Sequence, residues 1–347
     1  MGNAYFKELH SKTDSRFWIN NPTKEEMTKA LANDAFACTT NPAYCSKLIE
    51  REQDYIDSVI DENIMYTNDY DELAAMVYRA CTKRIMDLFM PAYTASKGKE
   101  GFVTMQDDPR YDHDTAHIVK NILKNKQLAP NYMTKIPVID GGIQAIKECV
   151  RLNIPICATE VFGLSQALII ADRYKNACNR FGNKPPIFLT HITGIFDEYL
   201  GKLVARKQIN IDPEVLSMAG AAIARKQYKC LADRGYEITM LGGGARKINH
   251  FTDIVGGPHI TINWSTAQEL LDSDIAVTKK IDQEVPQNVI DELRIKLPDF
   301  ARAYDEDGMM ISEFAEYGPV QLFRNAFMKG WYQLLTQIAH RKHLLAK

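Results

Sequence analysis

Apolar and polar positions along this chain follow two alternating periods. Short, mainly apolar runs rich in β-branched and aromatic residues recur at 17–20, 36–39, 102–106, 132–136, 154–159, 187–192, 237–241 and 259–262, and each predicts a strand. Longer stretches with apolar residues three and four apart lie between them, at 71–90, 115–126, 142–152, 164–179, 213–233 and 266–271, and predict amphipathic helices. Strands that alternate with helical crossovers make a parallel sheet. Eight such units point to an α/β fold of the (β/α)8 barrel type; a doubly wound sheet is the rival, and the count favours the barrel. Beyond about residue 274 the rhythm stops. Helical patterns at 290–297 and 320–345 then suggest that 275–347 is a C-terminal helical extension of a single barrel domain spanning 1–347.

Composition narrows the class without naming the chemistry. The 347 residues are 46% hydrophobic and 25% charged, enough for one large core, and 42 basic against 44 acidic side chains leave a formal net charge of −2. No overall field draws nucleic acid or an anionic membrane, so neither is expected as a partner. The 7 cysteines (Cys38, Cys45, Cys81, Cys149, Cys157, Cys178 and Cys230) include no Cys-x-x-Cys pair and no metal-ligand spacing, which fits reduced thiols in a cytoplasmic protein. The first residues lack the apolar core of a signal peptide, and Phe6 stands where myristoylation of Gly2 would want Ser or Thr.

Candidate chemistry gathers at the predicted strand ends. Lys135 sits in Asn131-Tyr132-Met133-Thr134-Lys135-Ile136-Pro137, among residues that read as buried strand. Burial disfavours an ammonium, and a neutral amine can attack a carbonyl, so this lysine is a candidate Schiff-base nucleophile; the plainer alternative is a lysine that snorkels at the mouth of the sheet. Polar residues stand at the end of nearly every other strand: Asn20, then Thr39-Thr40-Asn41-Pro42, Thr104 and Gln106, Cys157 and Thr159, Thr190, and Gly242-Gly243-Gly244-Ala245-Arg246. Singly, each reads as a turn or cap residue. Together they form a ring around Lys135 at the face where barrels of this type keep their active sites.

With these motifs the chain resembles the transaldolase family of class I, Schiff-base aldolases. Thr39-Thr40-Asn41-Pro42, Lys135-Ile136-Pro137 followed by 141–146, and Thr159 followed by Phe162 and Gln166-Ala167 stand in the family's order over nearly the whole chain. The length and the tail around Ser312-Glu313-Phe314 look like the long transaldolases, whereas Lys135-Ile136-Pro137-Val138 is closer to the fructose 6-phosphate aldolases. The resemblance implies that Lys135 is the nucleophile, that Asn41 orients donor hydroxyls, and that Thr159 holds a catalytic water. It implies cleavage of a ketose between its third and fourth carbons, with the iminium as electron sink, and therefore no cofactor and no metal. Thr40, Cys157, Thr190, Gly244 and Arg246 become candidate substrate-binding residues for a sugar or sugar phosphate.

The departures from the family pattern fall on the chemistry. Asn20 replaces an acid on the first strand and Gln106 a glutamate on the third, and an amide does not shuttle protons. Gln106 matches the fructose 6-phosphate aldolases, which leans toward free aldol cleavage over transfer. Asp14 precedes its strand, and Glu160, next to Thr159, is expected on the opposite strand face; water, Tyr132, Asp107 and Asp108 stay open as the proton-transfer group. The family asparagine on the fifth strand is Cys157. After the sixth strand, 190–195 carries no arginine, and after the seventh a serine–arginine pair is represented by Gly244 and Arg246, so phosphate recognition is expected to be weakened or altered. A catalytically altered barrel that merely binds a sugar-like ligand is the alternative. His113 and His117 read as solvated histidines at a helix start rather than metal ligands, and Trp331 and Tyr332 on the tail could serve a homo-oligomer.

Overall fold

The computed structural model describes residues 4–346; Gly2, weighed above for lipidation, lies outside them. Eight strands close in chain order into a barrel: β1 (Phe17–Asn20), β2 (Ala37–Thr39), β3 (Val103–Met105), β4 (Tyr132–Pro137), β5 (Ile156–Val161), β6 (Ile187–Ile192), β7 (Thr239–Gly243) and β8 (His259–Ile262). All pairs are parallel, and β8 returns to β1 with Ile260 opposite Phe17 and Ile262 opposite Ile19. Closure excludes the doubly wound alternative and leaves the sheet no edge.

Strand alternation builds the floor of a cavity. Trp18, Ala37, Phe102, Met133, Phe188 and Leu241 point inward and form one apolar cluster inside the barrel. Two positions further along these strands, on the same face, stand Asn20, Thr39, Thr104, Lys135, Thr190 and Gly243. The apolar layer plugs the barrel, and the polar layer lies directly above it, toward the C-terminal ends. A second, larger core fills the space between the strands and the surrounding helices.

Two strands run later than their apolar patterns suggest. β5 cannot start at Ile154, whose N–H goes to Cys149 in the preceding helix end (2.9 Å), and it continues past Thr159 through a register shift between Ala158 and Val161. β7 continues through Gly242 and Gly243, which pair with His191 and Ile192. The helix expected over 213–233 is broken at Met218 into Pro213–Ser217 and Ala219–Asp233. There Asp197 accepts the Gly220 N–H (2.8 Å) and starts the second helix afresh.

The C-terminal extension is part of the barrel's upper surface. Its last helix, Gly318–Leu345, packs on Tyr44–Arg51, Gln53–Ile64 and Tyr70–Ala95 from the β2–β3 crossover and on Thr193–Lys207 after β6. Trp331, expected to be available to a second copy, is buried edge-on against Tyr78 at 6.0 Å, because the helix turns that face into its own fold; Tyr332 is half exposed. No helix among the described residues is long and apolar enough to cross a membrane.

The end of β4 is fixed by a close backbone approach. A Cβ on Gly142 would come within 2.0 Å of the Pro137 carbonyl oxygen, so the helix Asp140–Arg151 can fold back onto β4 only with glycine there. Gly142→Ala is therefore expected to lower stability by about 1–3 kcal/mol, in the range of overpacked sites. Urea unfolding is the check, and an unchanged midpoint would show that this approach is not constrained.

Candidate active site

Lys135 is buried on β4 directly beside Cys157 of β5. Among the described residues its Nζ has one hydrogen bond, to the Thr40 carbonyl at 3.4 Å, and it lies 5.9 Å from the centre of the Phe327 ring. Burial pushes the Lys135 amine below its ordinary range, and the nearby Cys157, Glu160 and Cys38 oppose that shift. The result is an amine that deprotonates more readily than a surface lysine and has no carboxylate bonded to its nitrogen.

Lys135 opens onto a cavity of about 500 Å³ at the C-terminal ends of the strands. Asn20, Asn41, Thr190, Gly244 and Arg246 line it, as expected of the strand-end ring, and Phe323, Ala326 and Phe327 of the last helix roof it. Asn21, Thr261 and Asn263 also line it, although the strand-end reasoning stopped short of β8 and of the residue after Asn20. Thr261 occupies the inward position of β8, so alternation alone could have found it. Phe327 carries no local signal, since it comes from a helix almost two hundred residues away in the chain.

The uncharged part of the rim is largely satisfied by its own side chains. Asn20 donates through Nδ2 to Asn263 (2.9 Å) and accepts from the Thr39 hydroxyl (2.8 Å), which also meets Thr261 (2.6 Å). Asn41 accepts from Asn21 Nδ2 and the Ala43 N–H, both at 3.0 Å, which leaves the Asn41 amide N–H groups to donate into the cavity. Thr40 does not join the rim: its hydroxyl bonds to the Thr104 carbonyl (2.7 Å) and to Tyr78 (2.8 Å), and it reaches Lys135 only through its own carbonyl. The Cys157 thiol meets the Thr190 hydroxyl at 3.2 Å beneath the lysine.

Glu160 does not lie on the outer face, contrary to the simple strand alternation expected. The register shift in β5, with Glu160 at φ +63°, turns its side chain so that Oε1 accepts from Gln106 Nε2 at 3.0 Å. Gln106 follows β3 and Glu160 belongs to β5, so this bond spans the end of the intervening β4. Gln166 holds the corner with four bonds: its Oε1 accepts from the N–H groups of Phe162 (2.8 Å) and Gly163 (3.2 Å), and its Nε2 donates to the carbonyls of Val138 (3.1 Å) and Glu160 (3.0 Å). Thr159 Oγ1, Gln106 Oε1 and Glu160 Oε2 are buried with no protein partner. The open candidates divide: Asp108 is taken by the Arg110 guanidinium (3.0 Å), and Asp107 accepts from Asn125 on the crossover helix (2.8 Å). Tyr132 OH is buried beside Thr134 and Asn125, and burial pushes the phenol well above its ordinary range. His117 stacks on Tyr111 at 4.1 Å.

The possible anion site after β7 is largely committed elsewhere. The N–H groups of Arg246 and Lys247 donate to His250 Nδ1 (2.9 and 3.2 Å), whose Nε2 faces Asp197 at 3.2 Å. The Arg246 guanidinium is half exposed and paired with Glu198 at 2.9 Å. Lys47, also on the cavity wall, is paired with Glu26 at 2.5 Å.

A (β/α)8 barrel with a buried lysine on its fourth strand, beneath a polar rim and an aromatic roof, has the architecture of an enzyme that works at the C-terminal ends of its strands. Residues 17–319 match the family model described as Transaldolase/Fructose-6-phosphate aldolase, and the chain belongs to that family. Transaldolase 1 of Streptomyces avermitilis is 29% identical over 168 residues, covering 45% of this chain and 43% of that protein. Transaldolase 2 of the same organism is 27% identical over 175 residues, covering 47% and 46%. The chain thus spans less than half the length of these two relatives, whereas the transaldolase of Thiobacillus denitrificans is 24% identical over 366 residues, 94% of this chain and 98% of that one.

Burial also sets how stability varies with pH. It pushes Glu160 up to about 7, Asp107 up to about 6 and Asp112 well above the usual carboxylate range. Unfolded carboxylates titrate near 4. Between that value and the raised ones these three carboxyls hold more protons when folded, so their contribution to stability falls as pH rises, whereas burial holds His10, His191 and His259 low and their contribution changes in the opposite direction. Thermal melts of the unaltered protein and Glu160→Gln are expected to differ with pH: the midpoint of the unaltered protein, relative to that of Glu160→Gln, falls between about pH 5 and about pH 8. A difference between the two proteins that does not change with pH would contradict the burial of the Glu160 carboxyl.

Proposed function

We propose that the protein is a transaldolase-like enzyme in which Lys135 forms a Schiff base with a small ketose or hydroxyketone. The observation that carries this reading is the Lys135 amine: buried, pushed toward its neutral form, hydrogen-bonded only to a backbone carbonyl, and open to a cavity of about 500 Å³. The neutral amine attacks the C2 carbonyl, and loss of water leaves an iminium whose positive charge draws electrons from the C3–C4 bond. Loss of the C4 hydroxyl proton then breaks that bond, releases an aldehyde and leaves an enamine on Lys135. Protonation of the enamine completes an aldol cleavage; attack on an acceptor aldehyde completes a transfer. Asn41, with its N–H groups free to donate, and Thr190 are placed to orient substrate hydroxyls.

The substrate's far end is proposed to depend little on phosphate. Arg246 is tied to Glu198 and Lys47 to Glu26, so a phosphate would have to displace a carboxylate from each before gaining their charge. A second reading, a barrel that binds a sugar-like ligand without turning it over, rests on Asn20, whose amide is fixed between Asn263 and Thr39 where it offers no titratable group.

Borohydride trapping separates the two readings. Incubation with fructose 6-phosphate, fructose or dihydroxyacetone, then reduction and peptide mapping, is expected to place a stable adduct on Lys135 and none on Lys135→Ala. Because the amine is shifted toward neutrality, labelling is expected already near neutral pH. Folded protein that forms no adduct with any of the three would favour the binding reading.

A further inference from the structure

A Schiff-base cycle needs a group that gives a proton to the leaving hydroxyl of the carbinolamine and takes one back when the enamine forms. The inward positions at the ends of β1 and β3 carry amides, Asn20 and Gln106, and the carboxylates that follow β3 are engaged elsewhere, Asp107 with Asn125 (2.8 Å) and Asp108 with Arg110 (3.0 Å). One carboxylate is brought over the lysine's strand by the backbone itself. Glu160 stands at φ +63° in the shifted segment of β5, a conformation uncommon outside glycine, and the four bonds of Gln166 hold it there. Such a position is sustained only where the surroundings over-determine it, and strain of this kind concentrates at working sites.

The surroundings of Glu160 fit a group that must change protonation state. The bond from Gln106 holds Oε1, while Oε2 is buried with no protein partner, as are the neighbouring Thr159 hydroxyl and Gln106 Oε1. Lys135 from β4 and Arg324 from the last helix favour its charged form. Burial, and then the charge of Glu160, push the nearby Asp112 toward its neutral form, and Arg324 Nε lies 3.5 Å from that carboxyl. A small cavity of about 10 Å³, close to the room one water molecule needs, is lined by Gln106, Thr134 and Lys135 with the carboxylates Asp107, Asp108 and Asp112, and Gln106 joins it to Glu160. Lys135 forms part of the wall of both this cavity and the large one.

We propose that Glu160 is the proton-transfer group of the Lys135 Schiff base, working across the end of β4. This rests on the Lys135 reading. Neutral Glu160 gives its proton to the carbinolamine hydroxyl, which leaves as water; Lys135 keeps its remaining N–H in the iminium, and Glu160 becomes a carboxylate. That carboxylate takes the proton whose loss forms the enamine: the C4 hydroxyl proton when C3–C4 breaks, or a C–H proton beside the iminium when the bound ketone is dihydroxyacetone. The neutral acid then returns the proton to the enamine carbon. A carboxyl held near about 7 supplies both forms at neutral pH, which is the condition for acting as acid and base in turn.

Dihydroxyacetone in deuterium oxide makes this testable without the natural substrate. Each enamine cycle in which the proton taken by Glu160 exchanges with solvent before its return replaces a carbon-bound hydrogen with deuterium, read by proton NMR, while borohydride trapping on the same samples reports the Schiff base. The unaltered protein is expected to exchange at a rate that follows a titration near neutrality. Glu160→Gln is expected to lose exchange by about a hundredfold or more while still forming the Lys135 adduct on long incubation, and Glu160→Asp to recover part of the rate with a displaced profile. A Glu160→Gln protein that traps normally and exchanges at the unaltered rate would overturn the Glu160 role and leave the Lys135 reading standing. If the unaltered protein forms no adduct with dihydroxyacetone, fructose or fructose 6-phosphate, the Lys135 reading falls and takes the Glu160 role with it. Should Glu160→Gln not fold, the unaltered protein decides: exchange that stays flat between about pH 6 and pH 8 overturns the proposal.

Discussion

The structure depends on keeping one lysine out of water without giving it a carboxylate partner. An unpaired ammonium is costly to bury, and a protein that must bury one lowers the cost by letting the group become neutral. Three independent parts of the chain accomplish the burial. The inner layer around Trp18, Met133, Phe188 and Leu241 closes the barrel beneath Lys135. The closed sheet surrounds it, and Phe327 of the helix Gly318–Leu345 covers it. The C-terminal extension is thus joined to the site as well as to the fold: Trp331 packs on Tyr78, Tyr78 bonds to Thr40, and the Thr40 carbonyl is the acceptor for Lys135.

That same dry environment acts on every ionisable neighbour. Cys157, directly beside Lys135, is held in its thiol form by burial. The rim residues Asn20, Asn263, Thr39 and Thr261 avoid the problem by being neutral and by satisfying one another. Glu160 cannot avoid it, and its ionisation is therefore moved to where both forms are accessible near neutral pH. The corner that holds it is rigid for a reason visible in the hydrogen bonds: Gln166 is buried and spends both its acceptor and its donors on backbone groups, so losing any of those bonds would strand a polar group inside.

Much of this was legible in the sequence because it follows from the strand period of about two and the helix period of about 3.6 residues. The eight strands fall within two residues of their apolar runs, and the inward position of Lys135 follows from its place in β4. Several short helices escaped notice. Lys24–Ala32 carries a capping box, Thr23 with Glu26, that a search for caps would have caught; Tyr44–Arg51 and Gln53–Ile64 are too short and too polar to stand out by pattern. The position of Glu160 was read wrongly for a different reason. Alternation assumes an unbroken strand, and a register shift of this kind depends on pairing with β6 and on Gln166, neither of which is local. Phe327 was missed because a roof contributed from the far end of the chain leaves no trace near the residue it covers.

Amides at Asn20 and Gln106 and a carboxylate at Glu160 make sense as parts of one arrangement rather than as separate losses and gains. A carboxylate at position 106 would face Glu160 across a single hydrogen bond in a buried site, and two like charges that close cannot both ionise. The amide removes that conflict and gives Glu160 a donor, which favours its charged form and offsets part of the burial that favours the neutral one. Gln106 therefore tunes the carboxylate it touches. At Asn20 the amide serves a different end, since it must donate to Asn263 and accept from Thr39 at once, which an ionised carboxylate does not do. With Asn20, Asn263, Thr39 and Thr261 neutral, the buried titratable carboxyls near Lys135 include Glu160, Asp107 and Asp112, with Arg324 of the last helix beside Asp112.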